Sequence, residues 1–409
     1  MMKNRNNTIL NKLKNLDIIS IIIIIVLLII GLLSIYSATI FKTSSDSTAF
    51  IKQLIWIGIG TMFFLVIYSI SKTILLEYAV ILYVLGIFLI VVPFFTSGVA
   101  DSTYRWINIG FLHLQPSEIM KFILIIMLAK YFTETNISKN SFLYIVPPLF
   151  ITLLPMAIIL KQPDLGNSLI LVMIFGGMLF SSGVRLYYIF LLIAPIITIF
   201  AAFNPVTFFI WGVLLAIIIF INHSNILSFA GIFIGNVLVG IITPVVWNNI
   251  LPYQQQRILT MFNPNLDPQN AGYQAIQSKI AIGSGGFWGK GYLNGTQTHL
   301  KFLPEQHTDF IFSVIAEELG FIVVFFILVL FFTLFYRWYK MALKTYEKFS
   351  AMLIIGGTTT LLFHVFINIG MTIGLLPVTG KPLPFLSYGG SFLLTCFGLA
   401  GLILNGNTD

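Results

Sequence analysis

Glu118 and Lys121 stand three residues apart at the head of an apolar run that opens with Gln115-Pro116-Ser117. Residues at that spacing share a helix face, so carboxylate and ammonium can pair, and proline suits a first helical turn. The positive dipole end of a helix accounts for Glu118. It does not account for Lys121 one turn deeper, and the two read as a pair lining a polar cavity. A second carboxylate, Asp164, sits in Lys161-Gln162-Pro163-Asp164-Leu165-Gly166. It reads either as a helix N-cap after a turn or as a cavity residue. Arg105, next to Trp106, carries the planar fork that suits phosphate, or else anchors an interface. Asp309 closes the segment Leu303 to Asp309, where an N-cap is the plainer alternative. Glu317 and Glu318 follow about 12 Å deeper along a helix. Carboxylates at two depths beside basic loops suit general acid/base chemistry on an amphiphilic substrate.

These groups need elements to hold them, and the composition says which. Of 409 residues, 58% are hydrophobic and 9% charged, against roughly 25% charged in soluble domains. Such a chain faces lipid, and apolar runs approaching ~20 residues make its spans helices. Twelve are expected, at 18–40, 54–71, 74–95, 116–133, 142–160, 165–183, 186–203, 205–222, 226–247, 311–336, 350–373 and 391–405. The fold class is therefore an all-α, polytopic membrane protein.

The net charge of +8 reads as a topology signal rather than as nucleic-acid affinity. Lys3, Arg5, Lys12 and Lys14 precede the first span, and Arg337, Lys340, Lys344 and Lys348 crowd the last strongly basic loop. Both termini are thus expected inside. That orientation puts 248–310 outside as a long, glycine- and aromatic-rich loop, a kind of segment that usually has a function. Its Arg257 and Lys279 join the candidate substrate contacts. Gly374 to Ser391 is an irregular glycine/proline segment before the last span, tolerated near a membrane only where protein or a water cavity receives it.

Several soluble-enzyme chemistries are excluded. Cys396 is the single cysteine, so no disulfide framework exists. The five histidines show no ligand spacing. Gly283 to Gly291 fits neither a P-loop nor GxGxxG. No nucleotide is used, and the energy for a reaction must arrive in an activated, membrane-borne donor.

Arg105-Trp106, Gln115 to Lys121, Gln162 to Gly166, Pro252 to Arg257, Ala271 to Gln297, Phe302 to Phe312, Ala316 to Gly320 and Asn368 to Ser391 together resemble the SEDS family (RodA/FtsW/SpoVE), most closely its RodA branch. The block Gly283 to Gly291 with Gly295-Thr296-Gln297 and Phe302 to Asp309 is the most specific. The resemblance implies a single membrane domain over 1–409 with a large outer loop at 248–310. It implies a multi-pass protein of the bacterial cytoplasmic membrane that polymerises lipid II into glycan strands in cell elongation, with an FtsW-like division polymerase as the alternative, by metal-assisted, inverting glycosyl transfer with undecaprenyl diphosphate leaving. Carried over by motif, Asp309 is the catalytic base or a ligand of Mg²⁺ or Mn²⁺. Glu118, Lys121 and Asp164 line the cavity, and Arg105 contacts phosphate. The implied partner is a class B penicillin-binding protein, a transpeptidase.

The chain departs from that family in two places. The family has about ten spans, and here a further pair fits between Asp164 and Tyr253. Lys381 stands where a hydrophobic residue is usual, and is expected to snorkel to the headgroups or else to touch diphosphate. Buried charges and broken helices would equally serve a lipid transporter. The polar residues cluster towards the outer face rather than the midplane, and no inverted repeat is visible, which favours the transferase over a flippase. A non-catalytic scaffold would leave Asp309 replaceable.

Overall fold

The computed structural model of the protein describes residues 16–40, 48–96, 104–109, 112–139, 141–222, 226–249, 255–256, 259–260, 271–299 and 305–407. A helix occupies each of the twelve expected stretches. They are α1 (Ile18–Thr39), α2 (Ala49–Ser69), α3 (Lys72–Val91), α4 (Pro116–Glu134), α5 (Val146–Lys161), α6 (Leu165–Ser181), α7 (Leu186–Ala201), α8 (Pro205–Asn222), α9 (Ile226–Asn249), α11 (Ile311–Lys344), α12 (Lys348–Thr372) and α13 (Gly390–Gly406). Between α9 and α11 lies α10 (Ala271–Gly285). Eight helical stretches among the described residues are long and apolar enough to cross a membrane, by length and composition. Helices α6, α7 and α13 are apolar but shorter, and α4 carries Glu118, Lys121, Lys130 and Glu134. A two-stranded antiparallel hairpin, β1 (Ile107–Ile109) and β2 (Leu112–Leu114), is a small addition to the expected all-α fold.

Helix α12 is the axis of the bundle, packed against α4, α6, α11 and α13. Small residues permit this. Gly356 leaves room for Ile125 and Met178, and Gly357 for Ile403. Small residues are the usual means by which helices approach closely in lipid, where burial of apolar surface gives little drive. Helices α7, α8 and α9 pack mainly on one another around Leu191, Ala194, Leu215 and Ile219, a core separate from the main one.

Helix α11 is broken at Gly320, where φ is 75° and ψ is −177°. The break removes helical partners from the Glu317 and Glu318 carbonyls and from the Phe321 and Ile322 amides. The glycine-rich turn after α10 supplies replacements. Lys290 N donates to Glu317 O at 2.9 Å and Gly291 N to Glu318 O at 3.0 Å. Gly286 O accepts from Phe321 N at 2.9 Å, and Phe287 O from Ile322 N at 3.3 Å. Gly289, at φ 79°, passes so close to α11 that a Cβ would collide with the Glu318 carbonyl. The glycine run at 283–291 is thus a backbone splice for a broken helix, and the 248–310 segment includes a packed helix rather than only loop. Far along α11, Arg337 pairs with Asp17, the N-cap of α1.

Candidate functional site

Asp309, Glu118 and Asp164 converge on one cavity of about 500 Å³, with Arg105 and Lys381 also in its wall. Lys52, Trp56, Trp106 and Tyr388 line it as well. Three chain segments remote in sequence therefore meet: the start of α4, the turn between α5 and α6, and the turn before α11. The irregular segment before α13 closes the ring.

Each carboxylate has a different setting. Glu118 lies in the first turn of α4, where Pro116 starts the helix. Its Oε1 accepts from Lys121 Nζ at 2.7 Å, and the pairing expected from the spacing is present. Lys121 is fully buried behind it and also meets His364 Nε2 at 3.0 Å. Glu118 Oε2 is buried without a partner among the described residues. It leaves an acceptor at the wall of the cavity.

Asp164 is both N-cap and cavity residue, so its two readings are compatible. Its Oδ1 accepts from Asn167 N at 3.0 Å, capping α6. Its Oδ2 accepts from Gln115 Nε2 and Asn167 Nδ2, both at 2.8 Å. Burial by itself pushes this carboxyl up. The Lys381 ammonium, the Asn167 amide and the Arg105 guanidinium outweigh that and hold it down at about 2.

Asp309 is not an N-cap: Phe310 holds that position in α11, with no side-chain cap bond. The Asp309 carboxylate lies against Gly380, where a Cβ would stand 3.2 Å from Oδ2. Gly380 has φ 65°, so the close approach and the turn both favour glycine there. Asn368 on α12 donates through Nδ2 to Asp309 O at 2.8 Å and to Lys381 O at 2.7 Å. One buried amide thus ties the carboxylate's turn to the irregular segment. Tyr388 N donates to His307 O at 2.9 Å, and Gln53 of α2 holds both Ser387 O and Gly389 N. The non-helical backbone is received by protein, as its position near a membrane requires.

Other expectations need revision. Lys381 does not snorkel: it is 5% exposed, and its Nζ meets Asp164 Oδ1 at 3.1 Å. Arg105 lines the cavity, but its Nε donates to Gln162 O at 2.9 Å and its guanidinium also holds Pro163 O. Those contacts brace the turn that presents Asp164. Glu317 and Glu318 do not line this cavity. Glu317 accepts from Lys290 Nζ at 2.8 Å, Gln297 N at 2.9 Å and Thr298 Oγ1 at 2.8 Å. Glu318 accepts from Ser37 Oγ at 2.5 Å. Glu317 thus fastens the splice to α11, and Glu318 ties α11 to α1. Lys279 is exposed on α10 with its stem against Gly374, away from the cavity lining. Arg257 lies outside the described residues.

Asn368, His364 and Lys52 were not singled out from sequence for this site. The spacing of His364 and Asn368, four apart on one face of α12, was the available signal.

The arrangement defines a multi-pass membrane protein with a polar, carboxylate-bearing cavity roofed by irregular backbone. The family model described as "Cell cycle protein" (FTSW_RODA_SPOVE) matches residues 18–211 and 204–408, and the chain belongs to that family. It is 34% identical over 379 residues to "Peptidoglycan glycosyltransferase MrdB" of Escherichia coli (strain K12), covering 92% of this chain and 90% of that one. It is 32% identical over 412 residues to "Peptidoglycan glycosyltransferase RodA" of Treponema pallidum (strain Nichols), covering 92% and 94%. The fold is similar to a chain in "Structural coordination of polymerization and crosslinking by a peptidoglycan synthase complex", with TM-score 0.71, 24% identity and coverage of 96% and 97%. It is also similar to the rod shape determining protein RodA of Thermus thermophilus, with TM-score 0.62, 22% identity and coverage of 96% of each chain.

Proposed function

We propose that this protein polymerises lipid II into glycan strands on the outer face of the bacterial cytoplasmic membrane, in cell elongation. One observation carries the reading: Asp309 shares a single cavity with Glu118, Asp164 and Lys381, in a family whose members at 32–34% identity are named peptidoglycan glycosyltransferase. In this mechanism the 4-hydroxyl of an acceptor sugar gives its proton to the Asp309 carboxylate. The oxygen forms a bond to the anomeric carbon of the donor. The bond from that carbon to the diphosphate oxygen breaks, and undecaprenyl diphosphate leaves with the electron pair. A carboxylate placed for proton removal supplies roughly 10²–10⁴ in rate. Glu118 borders the cavity, and Trp56, Trp106 and Tyr388 offer faces for sugar rings.

A divalent metal, Mg²⁺ or Mn²⁺, belongs to the same reading. Among the described residues no three His, Cys, Asp or Glu side chains converge as a cage. The donor set suits an ion that arrives with the diphosphate, since Mg²⁺ is commonly held by one or two carboxylates plus substrate phosphates. Asp309 would hold it, and it would neutralise charge on the leaving group.

The basic residues near the N-terminus and those from Arg337 at the end of α11 to Lys348 support inside termini, and with them a cavity on the outer face. We take twelve helices as spans, a core of ten plus one inserted pair. The separate core of α7–α9 and the family match in two segments meeting at 204–211 support an insertion there. The transpeptidase partner is supported by the crosslinking complex to which the fold is similar.

The test is synthesis from fluorescent lipid II by purified protein with its transpeptidase, with Mg²⁺ and with chelator. A glycan ladder supports the polymerase. A folded complex giving no ladder with any divalent metal points to lipid transport instead.

A further inference from the structure

Lys381 raises a question that stability does not answer. Its ammonium is buried in the cavity wall against Asp164, yet Asp164 already accepts three bonds from Asn167 and Gln115. A buried ion pair is often no more stabilising than apolar residues of the same size, so an uncharged side chain would serve packing as well. The site is nevertheless shaped for this lysine. Its stem crosses Gly166 in the first turn of α6, where any Cβ would overlap the Lys381 methylenes. Its carbonyl is clamped by Asn368, which also holds Asp309.

Of the other cations near the cavity, Lys52 lines it from an exposed position on α2, and two have work elsewhere. Arg105 braces the carbonyls of Gln162 and Pro163, and Lys121 is held between Glu118 and His364. Lys381 is the cavity ammonium whose carboxylate partner keeps three other donors when the lysine turns away.

We propose that Lys381 binds the diphosphate of the lipid-linked donor, exchanging Asp164 for a phosphate oxygen and remaining on the leaving group as its bond to the anomeric carbon breaks. This rests on the polymerase reading and names a further residue within it. Lys381 keeps its proton throughout. The acceptor proton goes to Asp309, and the electron pair goes to the diphosphate oxygen that the ammonium contacts. Asp164 acts as its rest position.

The experiment compares wild type with Lys381→Met, Lys381→Arg and Gly166→Ala in the complex with transpeptidase. Gly166→Ala displaces the lysine stem without changing charge. Inorganic pyrophosphate is the probe, read as inhibition of polymerisation and as a shift of thermal unfolding in the absence of substrate. A charge-assisted bond predicts that Lys381→Met weakens pyrophosphate roughly 10-fold and raises the KM for lipid II similarly. Gly166→Ala follows in the same direction, and Lys381→Arg recovers most of the loss. Unchanged pyrophosphate inhibition and unchanged thermal shift in Lys381→Met overturn the proposal. A shift that depends on Lys381 in a protein that makes no glycan keeps the anion site and removes the polymerase reading.

Discussion

Lys121 is completely buried, with Glu118 Oε1 at 2.7 Å and His364 Nε2 at 3.0 Å. Replacing it by methionine keeps the volume of the stem and removes the charge. Glu118 is left as a carboxylate in the wall of the bundle, with one oxygen already unpartnered among the described residues. Removing one member of a buried pair costs about 3–5 kcal/mol, because the other charge stays behind. Glu118 also borders the cavity, so the lower end, about 3 kcal/mol, is expected. Adding Glu118→Gln to Lys121→Met removes the stranded charge. The double variant should therefore be more stable than Lys121→Met alone, with a coupling of roughly 1–3 kcal/mol. The assay is denaturant unfolding of all four proteins in the same lipid nanodiscs. Additivity within about 0.5 kcal/mol would show that the two residues do not depend on each other, and the paired-charge account of the cavity wall would be wrong.

Glu317→Ala strips the acceptor from Lys290, Gln297 and Thr298; with a part-buried cation bond among them, about 2–3 kcal/mol of local stability should go. Limited proteolysis should then cut within 286–299 in the variant, while an uncut segment would mean that the backbone splice alone holds it. Gly289→Ala should destabilise similarly or more, since φ 79° disfavours a side chain and the Cβ meets the Glu318 carbonyl; normal thermal unfolding of this variant would contradict the packing. Asp164 has a folded-state value of about 2, below the ~3.9 of a free aspartate. Its contribution is thus fully present above pH ~4 and is lost as pH falls through 4 towards 2, amounting to about 2–3 kcal/mol. Asp164→Asn should flatten that part of the acid unfolding profile, and a profile identical to wild type would show that another group sets it.

Local information was enough for part of this site. The apolar runs, the i,i+3 spacing of Glu118 and Lys121, and Asp164 ahead of an apolar run are short-range patterns, and each became the element expected. Long-range encounters were not readable in that way. Lys381 meets Asp164 across 217 positions, and the stem slot over Gly166 exists only once α6 and the segment before α13 are in contact. The glycine run at 283–291 fits no anion-binding motif, and its sequence alone does not say what its amides meet. They turn to α11 because Gly320 breaks that helix and leaves carbonyls to be met. Glu317 and Glu318 were read as chemistry for the same reason: a carboxylate two turns into an apolar helix signals a polar partner without saying whether that partner is substrate or a turn of the protein's own chain.

The central claim is that the Asp309 carboxylate removes the acceptor proton. Glycan extension by Asp309→Asn should be measured in the transpeptidase complex under saturating lipid II, alongside lipid II binding to the same preparation. Asparagine preserves shape and leaves the Asn368 bond to the Asp309 carbonyl in place. The expected result is a loss of roughly 10²–10⁴ in kcat with binding held within a few-fold. A variant that extends glycan at the wild-type rate would contradict the assignment of Asp309 as the base.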